Sequence, residues 1–314
     1  MTNRIRCRHC TESAAINMRQ HKLALCETHF VAWVQEQTRR SIEKYGLFEG
    51  NDRVLVAVSG GKDSLALWQI LLTLGYQADG LYIDLGIDAE IGYSDRSRQY
   101  IGNFLRAFRP DAKLHILSIR DTYGESLPEV ARRTRRGRAK PCSVCGLIKR
   151  HEMNRLACEL GYTVVATGHN LDDEVAVLWG NTLHWQVEYL ARQCPALPAD
   201  RPGFVRKAKP LCRLYERETA AYALISGIDY MYDECPFSTG ATSLFYKGIF
   251  NEMERHSPGT KLKFYLDFLR AKKGGLFPHN KVEALDQCRS CGQPTISNGI
   301  CAFCRLWRYR TVRH

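Results

Sequence analysis

No run of about 18 uncharged apolar residues occurs in the sequence, which excludes a membrane-spanning helix. The G-x4-G-K-[ST] string is missing too, which disfavours an ordinary phosphate-transferring ATPase. Internal repeats and low-complexity tracts are lacking, so neither a solenoid nor a mainly disordered chain is expected. The first residues, MTNRIRCRHCTESAA, place a cysteine and basic residues where a signal peptide would have its apolar stretch, so a cytoplasmic protein is expected. Acidic residues are in the minority: 33 Asp and Glu stand against 45 Lys and Arg, and the formal charge of +12 suits a polyanionic partner such as nucleic acid. Cysteine, by contrast, is plentiful, with 13 in 314 residues. A reducing cytosol argues against a disulfide scaffold, and the spacing of the cysteines points to metal.

That length, at roughly 100–200 residues per domain, suggests one large domain with additions, or two. Residues 1–40 read as an N-terminal zinc module with a linker helix, 41–283 as the main domain and 284–314 as a C-terminal zinc finger. In the middle, Arg53–Val58, Leu81–Leu85, Lys113–Ile119 and Tyr162–Thr167 read as strands, and Leu147–Gly161 as a helix capped by Gly161. Strands alternating with helices predict an α/β fold with a parallel sheet covered on both faces.

The terminal cysteines form two sets. Cys7-x2-Cys10 with Cys26-x2-His29 supplies three thiols and an imidazole; Cys288-x2-Cys291 with Cys301-x2-Cys304 supplies four thiols. Two such knuckles face to face make the closed tetrahedral shell of structural zinc, and modules this small need metal to fold. The tail beyond, with Arg305, Trp307, Arg308, Tyr309, Arg310 and Arg313, suits phosphates and stacked bases or, equally, a cap whose aromatics pack on the zinc module.

Between the first strand and the next helical pattern lies Ser59-Gly60-Gly61-Lys62-Asp63-Ser64. Two glycines let the backbone approach an anion, the helix N-terminus adds its N–H groups, Lys62 adds charge, and Asp63 can hold magnesium. This SGGKDS string resembles the PP-loop of the N-type ATP pyrophosphatases. Within that superfamily the strings LYIDLGI, PCSVCGLIKR, TGHNLDDE, ECPFS and PGTK, together with both zinc sets, resemble the tRNA 2-thiouridine synthetases of the TtuA type. The resemblance spans nearly the whole chain and implies a Rossmann-like PP-loop core flanked by the two zinc modules.

Cys142, Cys145 and Cys235 remain. Three thiolates are one short of closing a zinc shell, but they can hold a 4Fe-4S cluster and leave one iron open to sulfur, as the resemblance implies. A persulfide and disulfide pair at Cys142 and Cys145, or a third zinc with an unassigned ligand, are the alternatives. Cys158 lies on an apolar helical pattern and reads as core; Cys194 and Cys212 fit no spacing. A helix starting near the cysteines would carry Lys149 one turn beyond Cys145, facing the same region. By resemblance Lys149 contacts phosphate, and Asp173 lines the ATP site together with Ala57, Val58, the Ser59–Ser64 loop, Ile83 and Gly168. Asp172 and Asp173 also suit an acidic first helical turn. His169 reads as a hydrogen-bonded core histidine. Arg132, Arg133, Arg135, Arg136, Arg138 and Lys140, leading into Cys142, would steer an RNA backbone to the site.

The reaction implied is ATP- and magnesium-dependent adenylation of a uridine O2, followed by sulfur transfer to C2. The T-loop position is taken first, with the anticodon wobble uridine and cytidine 2-thiolation as alternatives. The implied sulfur source is a small carrier protein ending in a thiocarboxylate, or free sulfide, and relatives of this kind imply a homodimer. A zinc-ribbon RNA-binding protein using nucleotide as a switch is the non-enzymatic alternative.

Overall fold

A computed structural model describes residues 5–88, 91–199, 201–238, 240–277, 285–297 and 299–307. Its first elements are a small antiparallel hairpin, β1 (Ile16–Met18) on β2 (Leu23–Leu25), and a long helix α1 (Glu27–Tyr45). Alternation follows: β3 (Arg53–Val58), α2 (Lys62–Thr73), β4 (Gln77–Asp84), α3 (Tyr93–Phe108), β5 (Leu114–Ser118), α4 (Ile119–Tyr123), α5 (Leu127–Arg133), α6 (Arg135–Ala139), α7 (Pro141–Glu159) and β6 (Val164–Thr167). Then come α8 (Leu171–Leu183), α9 (Val187–Arg192), β7 (Ala196–Leu197), β8 (Arg206–Ala208), α10 (Glu216–Ile225), α11 (Thr242–His256) and α12 (Thr260–Lys273). A second hairpin, β9 (Asp286–Gln287) with β10 (Pro294–Thr295), and the short α13 (Ala302–Trp307) complete the described chain.

The central sheet has the order β5-β4-β3-β6-β8-β7 and is parallel except for β7, which runs antiparallel on β8. Both faces are covered, as the apolar run in β3 requires. Val54, Val56 and Val58 pack in one cluster with Trp68 of α2 and Phe30 of α1, while Leu55 joins Leu81 and Val165 in a second cluster on the opposite face. The chain lays β4 and β5 on one side of β3, then crosses to put β6 and β8 on the other. This reversal opens a crevice at the carboxyl ends of β3 and β6, where ligands bind in open parallel sheets.

Element limits differ from the sequence reading where tertiary pairing extends them. β4 begins at Gln77 because its polar start, Gln77 to Gly80, pairs in register with β3. α7 begins at Pro141, with proline in the first turn, so Cys142 and Cys145 stand on its opening turn. α1 runs unbroken past residue 40. The N-terminal hairpin shares its core with the main body: Cys7, Met18, Leu25 and Phe30 belong to the cluster that holds Val54 and Trp68. On the other face Cys288, Cys301, Cys304 and Phe303 cluster with Val144 and Ile148 of α7. The expected boundary at 283/284 lies outside the described residues. No described helix is long and apolar enough to cross a membrane.

Candidate active site

The crevice is built first by backbone. Gly60 has φ +79°, a left-handed conformation open to glycine, and a β-carbon there would lie 2.8 Å from the Ser97 carbonyl oxygen. A β-carbon on Gly168, which follows β6, would stand 2.8 Å from the Asp63 carbonyl carbon and the Ser64 nitrogen. The loops after β3 and β6 therefore touch, and only glycine permits the contact. Ser64 Oγ accepts from Ser59 N at 3.1 Å and donates to Gly61 O at 3.0 Å, which fixes the shape of the loop. Met231 N donates to Gly60 O at 2.8 Å, tying in the segment that leads to Cys235.

Around this loop stands a ring of opposite charges. Lys62 Nζ lies 3.0 Å from Asp63 Oδ2 and 2.8 Å from Glu216 Oε1; Lys247 Nζ lies 2.6 Å from Asp173 Oδ1 and 3.0 Å from Glu216 Oε2. Asp63 Oδ1 accepts from Asn170 Nδ2 at 3.2 Å and from the Thr219 hydroxyl. Burial lifts the Asp63 carboxyl above its ordinary range, with Lys62 pulling the other way. Burial would also lift Glu216, but Lys247 and Lys62 outweigh it and hold the group near 2. Asp173 doubles as a helix cap: it accepts from Asn170 N, and its own N–H donates to Asn170 Oδ1. Asp172 points away, to the buried Lys261 of the PGTK string and to the Glu216 backbone N–H. The string is thus explained as a brace beneath the site.

On the opposite wall are the thiols. One recess is lined by Ala57, Val58 and Ser59 of the β3 end, by Ile83, and by Cys145, Lys149 and Cys235. Cys142 Sγ donates to Phe237 O at 3.2 Å, which joins the start of α7 to the Cys235 segment. Burial raises the Cys145 thiol, and Lys149 opposes the rise while Cys235 and Cys142 add to it, so both of those sulfurs are within electrostatic reach of Cys145. Tyr93 lies beside Cys235 and Cys145, and burial pushes it up to about 12.

The terminal sets converge more tightly. The ligand atoms of Cys7, Cys10, Cys26 and His29, and those of Cys288, Cys291, Cys301 and Cys304, each lie within 4.8 Å of one another, the arrangement of a single tetrahedral ion. Nδ1 is the His29 atom that faces the thiols, 3.2 Å from Cys26 Sγ. Burial disfavours the Cys7 and Cys288 thiolates, yet neighbouring backbone donors bring both to about 6, and thiolate is the ligating form. Among the described residues the central trio does not close to this distance. A third mononuclear zinc would need such closure; a multi-iron cluster, whose cysteines bind different metal atoms, does not.

Arg132, Arg135, Arg136, Arg138 and Lys140 are exposed on α5, α6 and the start of α7. Arg133 differs: it is half-buried, pairs with Glu125 at 2.7 Å and donates to Leu306 O at 2.6 Å, bracing the C-terminal module. Trp307 stacks on Tyr123 of the main body with centroids 4.8 Å apart and meets Phe303 of the C-terminal module edge-on at 5.9 Å; Arg308, Tyr309, Arg310 and Arg313 lie outside the described residues. His169 is hydrogen-bonded to Thr167 at 2.7 Å but exposed rather than core, because the chain leaves the sheet at Gly168. Cys212 is buried, and Cys158 and Cys194 are half-buried. Sequence reasoning missed Tyr93 on α3, Glu216 and Thr219 on α10 and Lys247 on α11, which lie outside every recognisable string.

A parallel sheet with a glycine loop at its switch point, facing thiols and flanked by two metal-fitted modules, defines an α/β protein of the PP-loop class. Residues 6–31 match the family profile of the 2-thiouridine synthetase TtuA N-terminal LIM domain. The tRNA-5-methyluridine(54) 2-sulfurtransferase of Thermus thermophilus is 46% identical over 96% of this chain and 90% of its own, and that of Pyrococcus horikoshii 43% identical over 96% and 94%. The chain belongs to this tRNA 2-sulfurtransferase family. Its fold is also that of the U34-tRNA thiolase NcsA of Methanococcus maripaludis, solved with its [4Fe-4S] cluster, at a TM-score of 0.79 and 24% identity over 100% and 99% of the two chains.

Proposed function

We propose that this chain is an ATP-dependent tRNA sulfurtransferase that converts 5-methyluridine 54 to its 2-thio form. The supporting observation is that a single recess is lined by Ala57, Val58 and Ser59, where β3 runs into the glycine loop, and by Cys145, Cys235 and Lys149, so activation and sulfur delivery share one space. The position follows the names of the relatives that are 46% and 43% identical. A urea-like carbonyl oxygen departs poorly unless it is first made a leaving group. The uridine O2 attacks the α-phosphate of ATP and pyrophosphate leaves. A sulfur nucleophile then adds at C2, and AMP departs carrying the former O2.

The chain's own groups serve both steps. The N–H groups of Gly60, Gly61 and the start of α2 receive the phosphates, with Lys62 adding charge. Asp63 and Asp173 hold magnesium, and the Lys62 and Lys247 ammonium groups move from these carboxylates to phosphate oxygens. Ala57, Val58, Ile83 and Gly168 bound the nucleotide, and Lys149 balances the negative charge that develops opposite the thiols. Cys142, Cys145 and Cys235 fit a [4Fe-4S] cluster, which would supply a position for sulfur beside the nucleotide. Zinc at the two ends is structural, since both shells are closed. The exposed basic run before Cys142 receives the tRNA backbone. A carrier protein with a C-terminal thiocarboxylate, or free sulfide, is the donor, and the enzyme works as a cytoplasmic homodimer.

Anaerobic incubation of the protein with ATP, magnesium, sulfide and tRNA containing 5-methyluridine tests this. AMP, pyrophosphate and a 2-thio nucleoside at position 54, mapped by mass spectrometry, are expected. Cys235→Ala should abolish thiolation and bound iron but retain ATP binding. Thiolation at position 34, or none, would overturn the assignment, and iron-free protein that still thiolates would favour persulfide chemistry.

A further inference from the structure

The stretch from Leu183 to Tyr189 is exposed at every residue, although four of the seven are large and apolar. Trp185 is 76% exposed, Tyr189 64%, Leu183 48% and Val187 44%. Isolated exposed apolar residues need no explanation, but such a run does. Its backbone is held firmly. Leu190 is buried in the third core cluster, Gln193 Nε2 donates to Glu174 O at 2.8 Å, and Gln186 N donates to Asn181 O at 2.9 Å. Trp185 has φ +46°, a left-handed conformation where glycine is the usual occupant and a bulky side chain is strained. A strained backbone that displays an indole to solvent, on an anchored scaffold, gains nothing for the fold.

The surroundings indicate what covers the indole. Arg150 of α7 lies within electrostatic reach of Tyr189, of Arg136 in the basic run and of Cys145. Lys207 lies within reach of Arg150 in turn. Tyr189, at the end of the aromatic stretch, thus lies beside the positive groups that lead to Cys145, and Glu188 is the single acid of the stretch. Aromatic faces beside cations match splayed, unpaired nucleobases flanked by phosphates. A second copy of the chain would bring like charge against like charge at these groups.

We infer that Trp185 and Tyr189 form a stacking platform for unpaired bases of the tRNA loop that carries the target uridine. This rests on the tRNA sulfurtransferase reading and adds to it the residues that hold the loop open beside the site. Both are positioning residues.

The test is tRNA binding by the full protein over a range of salt, for wild type, Trp185→Gly, Tyr189→Ala and Tyr189→Phe, with melting temperature and sedimentation recorded. Loss of one stacked base weakens binding about tenfold, so Trp185→Gly and Tyr189→Ala should each do so. The dependence of log K on log salt should keep its slope, because no phosphate contact is removed. Tyr189→Phe should bind as wild type does. Trp185→Gly should melt no lower than wild type, because glycine relieves the left-handed backbone, and a purely structural tryptophan would give the reverse. Equal affinity of wild type and variants overturns the platform and leaves the sulfurtransferase reading standing. A wild-type dimer that the variants dissociate assigns the stretch to a second copy instead. Wild type that binds no tRNA overturns the functional reading, and the platform with it.

Discussion

The Lys247 ammonium lies 2.6 Å from the Asp173 carboxylate, bridging α11 to the first turn of α8 across the mouth of the crevice, and reaches Glu216 with the same nitrogen. Burial works against this charge, but the two carboxylates hold Lys247 above its ordinary range, so it stays a cation throughout the working pH range. Lys247→Met should weaken ATP binding by about tenfold to a hundredfold, the span given by a charge-assisted hydrogen bond. Calorimetric titration with ATP would measure it. Unchanged affinity would confine Lys247 to a structural role.

Glu216 gives the site an acid limb. Its folded value is near 2 against an ordinary 4.5, so between those limits the unfolded chain binds more protons. Its stabilisation is complete above about 4.5 and fades as pH falls toward 2. Glu216→Gln should therefore be less stable than wild type near neutrality, and the gap should narrow from pH 5 downward. Denaturant unfolding at several pH values measures the gap. Loss of bound metal in acid affects both proteins and cancels in the difference, so a gap independent of pH would contradict the assignment.

Gly168 is a test of contact without a test of strain, because its conformation is open to any residue. In Gly168→Ala the added carbon presses on the Asp63–Ser64 backbone. The expected cost to stability is about 1–3 kcal/mol, with the glycine loop displaced and ATP binding lost disproportionately. Thermal melts with and without ATP would separate the two effects; an ATP-induced shift equal to that of wild type would show that the loops tolerate separation.

Lys261 is 3% exposed and its charge is met by Asp172 and Asn251. Lys261→Met leaves the Asp172 carboxylate buried and unpaired, which should cost about 3–5 kcal/mol. Replacing both partners by apolar residues should recover much of that. A double variant as unstable as the single one would mean that Asp172 acts mainly through the Glu216 N–H that it accepts.

The features readable from the sequence were local ones. The alternation of apolar runs and helical patterns gave the parallel sheet, since side-chain periodicity is a property of a few consecutive residues. The glycine loop was marked by its own string between strand and helix, and the two terminal sets by ligand spacing, because a knuckle binds metal within a short span. Chain ends of elements were read less well, as β4 shows: Gln77 to Gly80 is strand only because β3 lies beside it.

Composition and spacing alone determined the α/β class, the glycine turn between strand and helix and the metal-fitted ends, all of which depend on neighbours in the chain. Only the tertiary structure decided that Cys235 meets Cys145 and Lys149 in one recess, that Lys247 and Glu216 complete the ring of charge, and that Asp172 braces while Asp173 faces the site. It also showed that Arg133 braces the C-terminal module whereas its basic neighbours face solvent. Those outcomes depend on which elements the sheet order and helix packing bring together, and a side chain's charge carries no record of its distant partner until the backbone has placed them side by side.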